Sequence, residues 1–287
     1  MYNDFSNRLP LRRTMPSPTH NLVSPDLDQL VQSVLTSSKY QRVTRDLIRT
    51  IGAQELTKRR NLKEAVKATK NKLHQIAGAY LASKMEYAAW LDKLQKQTVD
   101  GQTVRPLCAE IMAHHASTRE RLPILDHFYP TLLADLPPIT SILDLACGLN
   151  PLTRPWMPLA QPVAYYACDI YQDQIDFLNG FFTTIGVPGT AFACDLLQDC
   201  PTQAADVALL LKAIPCLEQA DKQIGRRLLD AIQAPILLVS FPAQSLGGRN
   251  KGMAANYEFH FRALVADRPW QIERFDFASE LVFRVRK

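Results

Sequence analysis

Residues 141–151, with the sequence SILDLACGLNP, decide the fold of this 287-residue chain. The stretch opens with an apolar run that is typical of a buried parallel strand. Asp144 stands near the end of that strand, and Gly148 stands where the backbone has to turn toward a helix. Open α/β sheets bind ligands at this edge. Ala146 and Asn150 replace glycines of the usual phosphate-binding pattern, so the segment alone predicts either a ligand-binding turn or an ordinary tight turn.

Two further strand-like runs end in aspartates, residues 164–169 (AYYACD) and 191–195 (AFACD). The interval is 25 residues from Asp144 to Asp169 and 26 residues from Asp169 to Asp195. Each interval fits one strand–helix unit, so we expect the three acids at the same edge of one sheet. Any one of them also fits a helix N-cap. Three in register favour a nucleoside site, with Asp169 on the ribose diol and Asp195 on the exocyclic amine of adenine.

Length and composition indicate a globular protein with one large core and room for a smaller second domain, with 47% hydrophobic residues. No run of about 18 apolar residues is present, and we expect no membrane span. The first residues lack the apolar segment of a secretory signal. Six cysteines without a Cys-x-x-Cys pair are typical of reduced thiols in a cytoplasmic protein, and we expect no bound metal.

Charge is distributed unevenly along the chain. Residues 1–105 hold 18 Lys/Arg against 9 Asp/Glu, whereas residues 106–287 hold 15 against 19. This division predicts a basic module joined to a neutral-to-acidic catalytic or binding module. Prolines and few apolar residues before position 26 indicate a flexible tail.

The basic charge is concentrated in a segment with helical periodicity. Helices are predicted over residues 26–35, 43–51, 62–81 and 85–94. The candidate docking residues are Lys39, Arg42, Arg45, Arg49, Lys58, Arg59, Arg60, Lys63, Lys67 and Lys70. A charged face can be simply solvated. Residues 39–72 hold 11 basic residues and only 3 acids, and this excess of positive charge favours a polyanionic partner. Nucleic acid is favoured over a membrane, since no aromatic stripe lies opposite the charges.

A helix is predicted to start at Arg119, with Ser117 or Thr118 as its N-cap. A basic side chain in this helix could reach the glycine turn and hold a ligand carboxylate, or it could form a surface ion pair.

The sequence pattern in the last third of the chain predicts further strands of the same sheet and a terminal hairpin. Strands are expected over residues 206–211, 236–240, 271–277 and 281–285, with a helix over 220–232. The loop at 243–253 is glycine-rich and basic and leaves the ligand-bearing edge, so it either approaches a phosphate or is an ordinary surface loop.

A seven-stranded sheet with a terminal hairpin, one glycine turn and acids after the next two strands resembles the class I S-adenosylmethionine-dependent methyltransferases. Five stretches resemble one family in particular, the 16S rRNA (guanine(1405)-N7)-methyltransferases that confer aminoglycoside resistance. They are HASTRERL (115–122), DLACGLNP (144–151), ACDI (167–170), SFP (240–242) and SLGGRNKGM (245–253). The likeness covers residues 26 to 287 and implies a Rossmann-like α/β fold with an N-terminal all-helical domain.

Composition and the resemblance together predict a division of the chain, and the resemblance implies a set of cofactor residues. Residues 1–25, which have no clear counterpart in the family, would be a flexible tail, 26–105 a basic rRNA-docking domain and 106–287 the methyltransferase domain. In that domain Arg121 is implied to hold the methionine carboxylate of S-adenosylmethionine. The implied cofactor-binding residues are Thr118, Arg121, Ala146, Gly148, Asn150, Asp169, Ile170, Asp195, Leu196 and Lys212.

By the same resemblance the target-pocket candidates are Lys212, Phe241, Ser245, Arg249, Lys251 and Met253. No general base is implied, because guanine N7 carries a lone pair and no proton. The expected activity is methylation of a guanine N7 in the decoding-site region of 16S rRNA within the 30S subunit, by a cytoplasmic monomer, leaving S-adenosylhomocysteine. The alternatives are an adenine N1 of the same region, a small-molecule substrate, or a non-catalytic RNA-binding protein.

Overall fold

A computed structural model of the chain describes residues 25–78, 85–99, 103–159, 162–243 and 252–287. They contain one seven-stranded sheet: β1 (Ser141–Leu145), β2 (Ala164–Asp169), β3 (Gly189–Ala193), β4 (Val207–Leu211), β5 (Ile236–Pro242), β6 (Gln271–Asp276) and β7 (Glu280–Arg286). The strand order is β3-β2-β1-β4-β5-β7-β6. Only β7 runs antiparallel to its neighbours, β5 and β6. The predicted α/β fold with its terminal hairpin is confirmed.

The α-helices of the described residues are α1 (Pro25–Leu35), α2 (Arg45–Lys58), α3 (Leu62–Leu73), α4 (Tyr87–Val99), α5 (Arg105–Met112), α6 (Ala116–Arg121), α7 (Leu125–Leu133), α8 (Gln172–Thr184), α9 (Ile214–Leu217), α10 (Ile224–Ala231) and α11 (Met253–Val265). A single π-helical turn, His74–Gly78, follows α3. None of these helices is long and apolar enough to cross a membrane.

Side chains of the sheet alternate between two hydrophobic cores, one on each face. In β1, Leu143 and Leu145 belong to the core that also contains residues of α1, α2 and α3. Ile142 points to the other core, which is formed with α4, α5, α7 and α8. The central strands are therefore apolar on both faces, as expected for parallel strands covered by helices on both sides.

The N-terminal helices are attached directly to the ligand-bearing edge of the sheet. Val43 forms an isolated antiparallel bridge with Tyr171, just after β2. The Thr44 amide donates to the Ile170 carbonyl, at 2.9 Å. By contrast, α4 packs on α8, where Tyr87 stacks on Phe177. The predicted boundaries at 26–105 and 106–287 stay a prediction, and most of the predicted tail lies outside the described residues.

The helix predicted over 62–81 is confirmed over its described residues, as α3 followed directly by the π-helical turn. Two other local predictions were wrong. The helix predicted over 43–51 is α2, which begins at Arg45 and extends to Lys58, so Arg42 precedes it. The N-cap of α6 is His115, not Ser117 or Thr118, so α6 starts three residues earlier than predicted.

Candidate functional site

A cleft lies at the carboxyl ends of β1, β2 and β4. Asp144, Asp169 and Asp195 all line it, which confirms that the three acids converge on one edge. Of the predicted cofactor residues, those in its lining are Arg121, Ala146, Gly148, Asn150, Asp169, Ile170, Asp195, Leu196 and Lys212. Thr118 is not among them. Its buried hydroxyl donates instead to the Met112 carbonyl at 2.7 Å, which holds α6 against α5.

The turn after β1 brings the backbone close to this cleft. Ala146 and Gly148 have φ angles of 49° and 52°. Glycine adopts this left-handed region readily, whereas an alanine there carries strain. A Cβ added to Gly148 would lie 2.9 Å from the His115 ring, whose pKa is lowered to about 4 by burial and by nearby cationic groups. Gly148 is therefore needed both for its conformation and for its lack of a side chain.

Asp169 ends β2 with both carboxylate oxygens held by backbone amides. The Gly148 amide donates to Oδ2 and the Ile170 amide to Oδ1, each at 2.7 Å. Burial raises the pKa of Asp169, and these amide bonds act against that rise. Each carboxylate oxygen has further acceptor capacity, so the group can bind two neighbouring hydroxyls such as a ribose diol.

Asp195 lies two residues beyond β3 and is only 8% exposed. Its Oδ1 accepts from the Leu197 amide at 3.0 Å, and its Oδ2 accepts from the Thr50 hydroxyl of α2 at 2.7 Å. Leu47 and Ile76 also line the cleft. The helical N-terminal region thus forms one wall of the site, which no sequence pattern indicated.

Arg121 is 1% exposed and binds Glu280, the first residue of β7. Its Nε and Nη2 donate to the two Glu280 oxygens at 3.0 and 2.7 Å, and its Nη1 donates to Asn150 Oδ1 at 2.8 Å. Burial raises the pKa of Glu280, but the charges of Arg121 and Lys212 outweigh burial and hold that pKa below its usual range. The three bonds use three of the five guanidinium N–H groups of Arg121, which leaves donors for a ligand carboxylate.

Asp144, in β1, is an acid of the cleft that is almost completely buried. Its Oδ2 accepts from Asn150 Nδ2 at 2.9 Å and from the Tyr165 hydroxyl at 2.8 Å. Its Oδ1 is buried and has no hydrogen-bond partner among the described residues. Burial raises the pKa of Asp144 to about 7 despite these two bonds and the nearby Arg121 charge. The cleft therefore contains an unsatisfied acceptor, which a ligand donor could bind.

Lys212 faces the cleft from the end of β4, as predicted. Its φ angle of 57° is unusual for a lysine and indicates backbone strain at this point. The ammonium lies 2.9 Å from Glu120 and 3.4 Å from Glu280. Arg121 and Lys212 therefore share one buried glutamate, which fixes both cations on the same side of the cleft.

Two of the remaining target-pocket candidates, Phe241 and Met253, are among the described residues, and neither lines the cleft. Phe241 is fully buried and stacks on Tyr257, so it is a core residue and cannot contact a target base. This prediction was wrong because β5 is covered on both faces. Met253 is half-buried at the start of α11. Ser245, Arg249 and Lys251 lie outside the described residues.

Comparison with protein families identifies the chain. A family model described as ribosomal RNA methyltransferase (FmrO) matches residues 36–284. The chain belongs to this methyltransferase family. The match includes the cleft and most of the N-terminal helices that border it.

Curated relatives of this methyltransferase carry one name. The protein from Micromonospora echinospora is 38% identical over 91% of this chain and 97% of its own length. The one from Serratia marcescens is 33% identical over 91% of this chain and 99% of its own length. Both are named 16S rRNA (guanine(1405)-N(7))-methyltransferase.

Solved structures of similar fold include 16S rRNA methyltransferase RmtF, crystallised in complex with S-adenosyl-L-homocysteine. It matches with a TM-score of 0.77 and 30% identity over 92% of this chain and 99% of that one. The 16S rRNA methylase RmtB matches with a TM-score of 0.74 and 27% identity over 91% and 98% of the two chains.

Most of the basic residues predicted for docking lie on the surface of the methyltransferase's N-terminal helices. Arg49 and Lys70 are half-buried, and the other eight are exposed: Lys39, Arg42, Arg45, Lys58, Arg59, Arg60, Lys63 and Lys67. Two of the ten form ion pairs. Arg49 binds Asp28 at 2.5 Å, and Arg59 binds the buried Glu55 at 2.8 Å. Lys67 and Lys72 of α3 border a polar groove together with Arg59.

Proposed function

We propose that this methyltransferase transfers a methyl group from S-adenosylmethionine to N7 of guanine 1405 in 16S rRNA. The observation that carries the proposal is the cleft, in which Asp169 and Asp195 stand at adjacent strand ends in a member of the ribosomal RNA methyltransferase family. The names of the relatives support the nucleotide and the ring atom.

The residues of the cleft fit the cofactor at three points. Asp169 offers two oriented carboxylate oxygens for the ribose diol. Asp195 offers acceptors for the adenine amine, and Leu196 beside it an apolar surface for the ring. Asp144 Oδ1 is a buried acceptor without a donor among the described residues, and the ammonium group of the cofactor's methionine part would donate to it. Gly148, where a side chain has no room, keeps the backbone open to the ligand.

Arg121 and Lys212 would bind the methionine carboxylate and orient it. Both contact Glu280, and the Lys212 ammonium also lies 2.9 Å from Glu120, so two carboxylates balance the two cations. The attraction for a ligand carboxylate therefore comes from the remaining N–H donors of Arg121 rather than from an excess charge. Arg121 is held on two sides and keeps its direction when a ligand arrives.

The reaction places few chemical demands on the protein's side chains. S-adenosylmethionine, when bound, supplies an electrophilic methyl group, and guanine N7 attacks with its own lone pair. No proton has to leave N7, so no general base is required. The protein's residues contribute by holding the reacting atoms in line and close, which is worth several kcal/mol. They also exclude water, because the cleft wall contains Leu47, Ile76 and Leu217.

We propose that the N-terminal helices dock the enzyme on the 30S subunit, in the cytoplasm. Eight of the ten candidate residues are exposed, and Arg45 and Lys67 form no ion pair with another of the described residues. Phosphate contacts of this kind give affinity through counterion release. They also offset the few kcal/mol needed to take a base out of its stack.

The proposed modification explains resistance to aminoglycosides in physical terms. Methylation removes the N7 acceptor of the guanine and adds a positive charge to the ring. Aminoglycosides are polycations that bind the decoding site, so both changes weaken their binding. We propose that the protein confers such resistance on cells that express it.

Purified 30S subunits, S-adenosylmethionine and the protein test the proposal. Borohydride and aniline cleave RNA at N7-methylguanosine, and primer extension should then stop at guanine 1405. Asp169→Ala should weaken S-adenosylmethionine binding by about 1–3 kcal/mol, measured by calorimetry, because oriented charged acceptors are lost. A stop at an adenine without chemical cleavage would replace guanine N7 by adenine N1. Cofactor binding without any modified base would leave a non-catalytic RNA-binding protein.

A further inference from the structure

α2 of the N-terminal region reaches into the cofactor cleft at one polar point. The Thr50 hydroxyl lies 2.7 Å from Asp195 Oδ2, across 145 residues of sequence. Leu47, one turn earlier on the same helix, lines the cleft. Thr50 itself is half-buried and does not line it, so any effect of Thr50 on a ligand acts through Asp195.

The hydrogen bonds around Thr50 fix the direction of its single proton. Gln198 Nε2 donates to the Thr50 oxygen at 2.7 Å. The hydroxyl has two acceptors within reach, Asp195 Oδ2 at 2.7 Å and the Asp46 carbonyl at 2.8 Å. The carboxylate is the stronger acceptor because it is ionised. Thr50 therefore donates to Asp195 while it accepts from Gln198.

Asp195 depends on this bond because it stands outside the sheet. It lies two residues after β3, where no neighbouring strand orients it. The Leu197 amide holds Oδ1 at 3.0 Å, and Thr50 holds Oδ2. With both oxygens bound, the plane of the carboxylate is fixed; with Leu197 alone, the group can rotate. Burial raises the pKa of Asp195, and the Thr50 bond opposes that rise, which helps to keep the acceptor charged.

We propose that Thr50 is a positioning residue for the adenine end of the cofactor, which it serves by orienting the Asp195 carboxylate toward the exocyclic amine. The inference rests on the proposed function, in which Asp195 accepts from that amine. It adds a contribution of the N-terminal helices to cofactor recognition, besides rRNA docking.

Two ligands and three variants test the inference by calorimetry. The ligands are S-adenosylhomocysteine and its 6-deamino analogue, in which hydrogen replaces the exocyclic amine. Thr50→Val removes the hydroxyl at nearly constant shape, and Thr50→Ser retains it. The control is Thr57→Val, on the same helix, where the hydroxyl bonds only to the Gln54 carbonyl.

Wild type should bind S-adenosylhomocysteine about tenfold more tightly than the analogue, because only the former donates to Asp195. Thr50→Val should weaken S-adenosylhomocysteine binding about fivefold and leave the analogue within about twofold of wild type. Thr50→Ser and Thr57→Val should both retain the wild-type preference. A merely structural role for Thr50 would lower both affinities equally.

The outcomes separate the two proposals. Equal binding of both ligands by wild type would refute the adenine contact of Asp195, and with it this inference. A wild-type preference that Thr50→Val retains in full would refute the role of Thr50 alone. If Thr50→Val does not fold, Gln198→Ala removes the exposed donor to the Thr50 hydroxyl instead. Selective loss of S-adenosylhomocysteine affinity in that variant supports the inference, and equal loss for both ligands overturns it.

Discussion

The Arg121 guanidinium donates to both carboxylate oxygens of Glu280, at 3.0 and 2.7 Å, although 159 residues separate the two in sequence. Neither side chain is more than 1% exposed. The pair joins α6 to the start of β7, and Ser240 of β5 adds a donor to Glu280 at 2.6 Å. A buried pair of this kind orients a binding site. Removal of one partner destabilises the fold, because the other charge is then buried without a counter-charge.

Glu280→Gln should therefore destabilise the fold by about 3 kcal/mol, because it leaves Arg121 buried without a counter-charge. Urea denaturation measures this free energy of unfolding. Asp92→Asn is the matched control: its partner Lys96 is exposed, and we expect a change within about 0.5 kcal/mol. Equal, small effects of both substitutions would show that Arg121 tolerates the loss of Glu280.

Asp144 should make the folded protein less stable as pH rises. A carboxylate whose pKa is lowered by folding has the opposite effect. Its pKa is about 7 in the folded chain against 3.8 in a model peptide. Between these values the folded state holds a proton that the unfolded state has lost. The free energy of unfolding therefore falls as pH rises through this window and levels off above it.

The matched variant for this test is Asp144→Asn, which can keep the bonds from Asn150 and Tyr165. We expect the stability difference, wild type minus variant, to fall by about 1.4 kcal/mol per pH unit within the window. Denaturant titrations at several pH values measure it. A difference that does not change with pH would mean that these two bonds keep Asp144 ionised throughout.

Gly148 should be the least replaceable residue of the turn. Gly148→Ala combines a φ of 52° with a Cβ only 2.9 Å from the His115 ring, so we expect about 2 kcal/mol of destabilisation and a loss of S-adenosylhomocysteine affinity. Gly186→Ala is a control with a φ of 66° and no atom within 4 Å of the added Cβ. It should cost about 1 kcal/mol and leave affinity unchanged. Thermal denaturation and calorimetry distinguish the two; equal affinity losses would contradict this account.

The sheet and its acids were predictable because parallel strands impose a simple rule. Strand–helix units of similar length place strand ends at one edge, and Asp144, Asp169 and Asp195 obey it. The hairpin was predictable from two alternating runs. Glu280 was assigned to the connection between those runs, yet it starts β7 and binds Arg121.

What the sequence could not predict depends on contacts between distant segments. Thr50 reaches Asp195 only because Val43 pairs with Tyr171, and nothing in the local pattern of α2 indicates that pairing. Phe241 stands in sequence just before the loop predicted to be functional, residues 243–253, but its side chain is buried in the core. In both cases tertiary packing, rather than periodicity, determines the role of the residue.

The docking hypothesis predicts that charge reversals on the exposed face of α2 and α3 weaken 30S binding, whereas charge reversals on other helices do not. Arg45 and Lys67 are exposed, whereas Arg49 is engaged with Asp28, so reversal of Arg49 would also break an ion pair. The double variant Arg45→Glu, Lys67→Glu is therefore used, because it reverses two charges without breaking an ion pair. If both residues contact phosphates, the salt slope of 30S binding should fall by about two units, and 30S affinity should decrease strongly.

S-adenosylhomocysteine affinity and thermal stability should stay near wild type, because neither side chain lines the cleft. The control is Lys93→Glu, Lys96→Glu on α4, which changes the net charge by the same amount on a different helix. Both lysines are in exposed ion pairs, with Glu110 and Asp92, whose loss costs little stability. Filter binding at several salt concentrations measures both variants. Specific docking predicts that only the α2–α3 variant loses affinity and resistance to aminoglycosides in cells. Equal losses in the two variants would mean that total charge, rather than this surface, attracts the subunit, and no loss in either would leave the basic residues as a solvated face.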